Sequence, residues 1–247
     1  MAVFKSLTFD GVNSLTYGIY ITGQAVYNAP QRVVNLVTVP GRNGAIAIDE
    51  GRFENIQVTY PAGCFADDQS DFAQKISAFR NAIASKRSYK RLTDEYNADE
   101  YRQALYMSGL EVTPTYGRAG QFDIIFECKP QRFLLSGETA VTLSADGSIT
   151  NPTAFDARPL LVVTGIGVVD IGGHSLTILS GGTTNQTLYI DCETQEAWEL
   201  VAGAKVARND CIQNAGETFP VLGAGETTIL LGTGISTVSI TPRWWRV

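Results

Sequence analysis

Histidine occurs once in this chain, at position 174, and cysteine four times, at positions 64, 128, 192 and 211, with no two close in sequence. Convergent metal sites need several such ligands, and no Cys-x-x-Cys pair exists, so a zinc site and a disulfide scaffold are both disfavoured. Reduced, mostly buried thiols are expected instead. Long apolar runs are also missing. The greasiest stretch, PLLVVTGIGVV, is too short to span a bilayer and carries two glycines. The first residues, MAVFKSLTFDG, lack the apolar core of a signal peptide. No membrane insertion is expected, and synthesis in a cytoplasm is. Nor is there a basic excess: the net charge is −6, and neither half of the chain is basic. Specific nucleic-acid binding, which needs a clustered basic surface, is therefore not expected. The one basic cluster, KRSYKR over Lys86–Arg91, is followed at once by DEYNADE and reads better as a helix end and solvated turn than as a nucleic-acid patch.

Recognisable catalytic signatures are equally scarce. No Gly-x-Ser-x-Gly elbow precedes a helix. GIGVVDIGG has no third glycine opening a helix, so the dinucleotide reading fails. His174, in GGHSLT, reads as a turn residue at a strand start; a Ser-His-Asp triad built on it stays open but nothing recommends it. Adjacent carboxylates (Asp49/Glu50, Asp67/Asp68, Asp94/Glu95, Asp99/Glu100) could include a glycosidase pair, although such pairs at turns usually mark solvated loops. Trp198, Trp244 and Trp245 could stack on sugars; in Trp244-Trp245, alternation places one ring in a core and the other at an interface. No cofactor is implied.

What the chain does have is strand pattern and turn chemistry. Apolar residues make up 44 % of it, enough for a substantial core. Alternation puts Leu15, Tyr17, Ile19 and Ile21 on one strand face; Ile56, Val58 and Tyr60 on another; and Phe122, Ile124, Phe126 and Cys128 on a third. One segment is different. Phe72, Ile76, Phe79 and Ile83 fall at helical spacing, predicting an α-helix over about 71–85 with Ser70 as N-cap and Lys86 and Arg87 at its C-terminal end. Between strand-like runs lies VTVPGRNGAIAIDEG, residues 37–51. Pro40-Gly41 suits a type II turn, Asn43-Gly44 is a hairpin signal, and Asp49-Glu50-Gly51 is a third break. The stiff loop Pro40, Gly41, Arg42, Asn43, Gly44 could be catalytic, cradle an anion, or dock a partner; it lacks the lysine and following helix of a phosphate loop. After Pro130 the texture changes to short β-rich runs separated by GIG, GG, SGGTTNQ and GAGE, which reads as a β-sandwich or barrel. The expected organisation is mostly β with one helix, residues 1–136 forming an N-terminal β-rich domain and 137–247 a C-terminal sandwich.

The order of motifs then adds a resemblance. FDGVNSLTYGIYI, VPGRNG, a strand after GRFEN, one helix, FDIIFECKPQRF, NPTAFDARPLLVVTGIG, YIDCETQEAW, FPVLGAGE and ITPRWW together resemble the distal tail protein (Dit) family of siphovirus-type bacteriophages, nearly end to end. The chain departs from that pattern at Ala224, where proline is common, and at Glu226-Thr227, which replace an asparagine-containing turn. The resemblance implies a non-enzymatic structural protein of the virion tail tip. By the same resemblance, six copies are expected to form a ring through their N-terminal domains, with galectin-like C-terminal sandwiches. Such a ring would join the tail tube protein to the tail-associated hub (lysin) protein and, in some phages, to receptor-binding proteins. In that setting the Pro40–Gly44 loop becomes a candidate subunit-interface element, with Arg42 facing a neighbour's carboxylate. A carbohydrate-binding adhesin module and a cell-wall glycoside hydrolase are the competing readings.

Overall fold

The computed structural model describes residues 4–23, 28–181, 186–214 and 218–247; positions 182–185 of the expected SGGTTNQ turn lie outside these. The protein is mostly β with one α-helix, and it divides into two compact units: Met1–Arg132 with Val247, and Phe133–Arg246. Each has its own core. The division at Arg132/Phe133 falls within a strand, Ala119–Leu134, that the change of texture at Pro130 does not stop, and position 136/137, the expected division, lies inside a 3-10 turn, Leu135–Glu138.

Unit 1 contains β1 (Leu7–Phe9), β2 (Val12–Asn13), β3 (Ile19–Ile21), β4 (Arg32–Thr38), β5 (Ala45–Phe53), β6 (Ile56–Phe65), α1 (Gln69–Ala84), β7 (Lys90–Asp94), β8 (Glu100–Leu105), β9 (Thr113–Thr115) and β10 (Ala119–Leu134). Its main sheet has the order β2-β1-β7-β8-β10-β6-β3, with β9 also on β10. The two longest strands, β6 and β10, pair antiparallel from Ile56↔Cys128 to Phe65↔Ala119. Val58, Tyr60, Ala62 and Cys64 of one join Phe122, Ile124, Phe126 and Cys128 of the other in the core, as the alternation requires. The helix closes that core with the stripe read from sequence: Phe72, Ile76, Phe79 and Ile83 are all buried. Side chains of this size contribute roughly 1.5–3 kcal/mol each on burial. The cap differs from expectation. Asp68, not Ser70, accepts the Asp71 N–H at 2.8 Å, because the helix begins at Gln69. Lys86 lies beyond the last turn and pairs with Asp10 at 2.9 Å, so Asp10 offsets part of the basic cluster.

The strand expected from Leu15 to Ile21 is shorter. Ser14–Tyr17 is a 3-10 turn: the Asn13 side chain accepts the Leu15 N–H at 2.9 Å, and Gly18, at φ 70°, closes it. Local side-chain capping there outcompetes the ladder. Ile19 and Ile21 remain buried, and Leu15 is exposed.

Unit 2 comprises β11 (Val141–Leu143), β12 (Gly147–Asn151), β13 (Leu160–Gly165), β14 (Gly167–Ile171), β15 (His174–Ile178), β16 (Thr187–Asp191), β17 (Glu196–Val201), β18 (Ala204–Ala207), β19 (Ile212–Asn214), β20 (Gly225–Leu231), β21 (Ile235–Thr241) and β22 (Trp245–Arg246). One sheet runs β11-β21-β13-β16-β17-β18 and the other β12-β20-β14-β15-β19. Leu161, Val163, Leu188, Ile190, Val238 and Ile240 from the first share a core with Ile149, Val169, Ile171, Leu176, Ile178 and Ile229 from the second. This is a two-sheet sandwich. Glu226 and Thr227 sit in strand β20, opposite Thr150 and Ile149, not in a turn. Trp244 is buried, and Trp245 is half-buried, stacked on Phe155 at 4.5 Å. All four cysteines of the protein are buried free thiols, and burial pushes Cys128 and Cys192 up to about 12.

The glycines of GIGVV carry a backbone crossing. The chain leaves one sheet at Gly165 and enters the other at Gly167, with φ of 117° and 150°. A Cβ on Gly165 would lie 2.2 Å from the Gly234 carbonyl oxygen, and one on Gly234 would lie 2.1 Å from that of Ile166. Only glycine permits both the dihedrals and the approach. Gly165→Ala is expected to destabilise unit 2 by about 1–3 kcal/mol or more, read as a drop of several degrees in its thermal unfolding midpoint.

Asp191 ties the end of β16 to the segment before β22. Burial raises its pKa, but two hydrogen bonds from Arg243, at 2.8 and 2.9 Å, and the Glu193 and Thr194 N–H groups outweigh that and hold the carboxyl below its ordinary value of 3.8. A depressed folded pKa stabilises above the unfolded value and is lost as pH falls through the folded one. Asp191→Asn should therefore unfold more easily near neutrality and lose less stability than wild type on acidification below about pH 4, as thermal melts across pH would show.

Candidate assembly site

One element belongs to neither core. β4 and β5 form a separate two-stranded sheet that pairs with no other strand among the described residues. Their register runs from Thr38↔Ala45 to Val34↔Asp49 and resumes at Arg32↔Phe53. The interval holds two extra residues on β5, and Gly51 takes φ 70° while its N–H bonds to Asp49 Oδ1 at 2.9 Å. The third break in the sequence is thus a bulge inside a continuing strand, not a turn.

The loop at the tip is partly as expected. Arg42 N–H donates to the Val39 carbonyl at 3.1 Å and Gly41 has φ 79°, a type II turn with Pro40 and Gly41 at its centre. Asn43-Gly44 does not make the primed hairpin turn. Among the two only Gly44, at φ 79°, is left-handed, because the six residues 39–44 span the strand ends and the Pro-Gly turn reverses the chain. Pro40, Gly41, Arg42, Asn43 and Gly44 are all exposed, and Arg42 makes no ion pair among the described residues.

The flanking strands matter more than the tip, and loop chemistry does not reveal them. No residue of β4 or β5 is buried. Cross-strand partners share a face, so Val37 with Ile46 and Asn35 with Ile48 lie on one side, and Val34 with Asp49 and Leu36 with Ala47 on the other. Both sides are aliphatic and open: Leu36 is 66 % exposed and Ile48 51 %. The signal was present in NLV and AIAI, where apolar residues fall on both parities of a strand that reaches no core. Charge stays local at the base, where Asp49 is hydrogen-bonded by Arg32, which lowers the carboxyl and raises the guanidinium, and Glu50 pairs with Arg52 at 3.0 Å. A lone ribbon of two strands is marginal in water, and exposed aliphatic strands invite pairing.

The other sequence candidates disperse. Asp68 caps α1, Asp94 accepts Tyr60 O–H at 2.7 Å, Glu95 accepts Ser6 O–H at 2.7 Å, and Glu100 pairs with Arg132 at 3.0 Å. His174 follows the Gly172-Gly173 turn at a strand start and lines an open cleft of about 530 Å³ with Asp156, Glu226 and Thr228. Its Nδ1, the atom an acid must hold in a catalytic triad, is buried without a hydrogen-bond partner. Tyr189 stacks on Trp198, over which Lys205 sits at 3.8 Å, so part of that ring is already covered.

With this geometry in view, residues 13–128, all within unit 1, match the phage tail protein RIFT-related domain. Over the whole chain the fold is similar to that of Dit (gp 19.1) of phage SPP1, at a TM-score of 0.70 and 12 % identity, covering 99 % of this chain and 100 % of that one. It is also similar to chains of the phage P2 baseplate in its activated conformation, with Ca (TM-score 0.51, 10 % identity, 96 % and 97 % covered) and with Sr (0.52, 10 %, 99 % and 98 %). No curated protein matches the chain. The resemblance to distal tail proteins drawn from the ordered motifs holds, and these findings support a structural role in a phage tail or baseplate.

Because Leu36 and Ile48 are open to solvent in the protomer, replacing both with Asp should shift its melting by little, within about 0.5 kcal/mol per site, while abolishing any self-association that light scattering detects in the wild type.

Proposed function

We propose that this protein is a non-enzymatic ring component of a phage tail tip, in which six copies join the tail tube to the hub and host-adsorption apparatus. The observation that carries the reading is the β4–β5 arm, an ordered ribbon with both faces aliphatic and neither face covered in the protomer. An arm of this kind gains stability only by docking. Docking one patch onto a different patch of the next copy is a heterologous contact, which closes into a ring when the rotation allows. The preorganised Pro40–Gly44 tip lowers the ordering cost of docking, and Arg42 sets the register against a carboxylate of the neighbour. The Dit-like fold over the whole chain supports the same reading. The C-terminal sandwich surrounds the ring as a galectin-like module without sugar chemistry of its own, and the assembled protein resides in the virion after synthesis in the host cytoplasm. The partners are further copies of itself, the tail tube protein, the hub protein and, where the phage has them, receptor-binding proteins.

Light scattering after gel filtration over a concentration series tests this. A species near six times the 26.7 kDa protomer is expected, and a monomer at every concentration would defeat the reading. Arg42→Glu should weaken the ring about tenfold or less, the range for a rim charge; an unchanged assembly constant would remove Arg42 from the interface.

A further inference from the structure

A heterologous contact needs a receiving surface, and unit 1 carries one. Ile19 and Ile21 of β3 face the core, so Tyr20 points to the opposite side of the sheet; Cys64 of β6 faces the core, and Phe65 is exposed. Tyr20 lies over Gly63, where an added Cβ would come within 2.8 Å of its ring, and stacks on Phe65 with centroids 5.4 Å apart and planes at 20°. The bridge from Lys5 to Ile21 brings Phe4 beside them, its ring 4.5 Å from that of Tyr20. Phe4 is 55 % and Phe65 59 % exposed. Tyr116, 97 % exposed, rims the same end, since its turn follows β9 at Thr115↔Ala119 and Ala119 is also opposite Phe65. Aromatic rings clustered on the outward face of an edge strand form a patch of the kind that anchors interfaces.

We infer that the β4–β5 arm of one copy lies on the Phe4–Tyr20–Phe65 face of a second copy, with Arg42 at the arm tip set beside Asp67. This rests on the ring reading and names its missing half. Several features select a second copy as the occupant. The arm is about 30 Å long at strand spacing, is aliphatic on both sides, and pairs with no other strand among the described residues. Arm and patch are distinct surfaces of one unit, so each copy can give an arm and receive one, as head-to-tail closure requires. Asp67, two residues beyond Phe65, is exposed and in no ion pair among the described residues, as is Arg42. Nearby Lys75 is held by Asp71 at 2.8 Å, and Arg118 in the adjacent turn leaves the rim mixed in sign. The apolar contact therefore carries affinity, and the Arg42–Asp67 pair carries register.

Two variants break opposite halves of the contact: Leu36→Asp with Ile48→Asp in the arm, and Phe4→Asp with Phe65→Asp in the patch. Each alone should be a folded monomer by light scattering and thermal melting. Mixed in equal amounts they should form one intact contact, and so a dimer of about twice the protomer mass and nothing larger. A patch variant that still forms the wild-type ring, or a mixture that stays monomeric while wild type assembles, overturns the pairing and leaves the ring reading standing. A wild type that is monomeric at every concentration overturns both. Independently of folding at the apolar sites, Arg42→Asp and Asp67→Arg should each weaken assembly several-fold and restore it when combined in one chain; no recovery removes Asp67 from the contact.

Discussion

A strand in a sheet can turn only every second side chain to one side, and both halves of this protein are organised by that limit. In unit 1 a single helix supplies the second layer that β6 and β10 need. In unit 2 a second sheet supplies it. Each core is closed by inward residues of alternating strands. The arm is the exception that the constraint exposes. None of its residues is buried, yet its two strands carry aliphatic residues on both sides. Its burial is missing from the protomer, and an assembly can supply it.

The carboxylates of the described residues show a similar economy. Six of the carboxylates that sequence could offer to a hydrolase are engaged one at a time: Asp68 as a helix cap, Asp94 and Glu95 as acceptors for Tyr60 and Ser6, and Asp49, Glu50 and Glu100 in ion pairs with Arg32, Arg52 and Arg132. Engaged groups stiffen a scaffold, and a stiff scaffold loses little entropy on docking. The cleft around His174 is polar and open, and its geometry assembles neither a nucleophile–base pair nor a dry pocket. Unit 1 also presents distinct surface shapes: an aliphatic ribbon, an aromatic face on the opposite side of the main sheet from the core, and isolated charges near each.

Legibility in the sequence followed the range of the forces involved. The helix stripe Phe72–Ile83 and the β10 face Phe122–Cys128 could be read because periodicity and burial agree along the whole of each. Pro40-Gly41 could be read because proline and glycine impose dihedrals on themselves. Where two local preferences compete, reading failed by small steps: Asn13 capping shortened the expected strand at Leu15, and Asp68 displaced Ser70 as cap. Asn43-Gly44 carried a turn preference that a longer loop made unnecessary.

The sequence by itself determined a mostly β chain with one helix, its cysteines buried as thiols, its punctuation by glycine and proline, and an ordered set of motifs shared with phage tail proteins, because these depend on residue chemistry and short periods. Only the tertiary structure decided which apolar strands find a core. NLV and AIAI are no more polar than the runs buried in β13 or β16, and they stay in water because the main sheet of unit 1 pairs with neither of them. Burial is a property of the whole arrangement of layers, and no local pattern encodes which strand is left outside it.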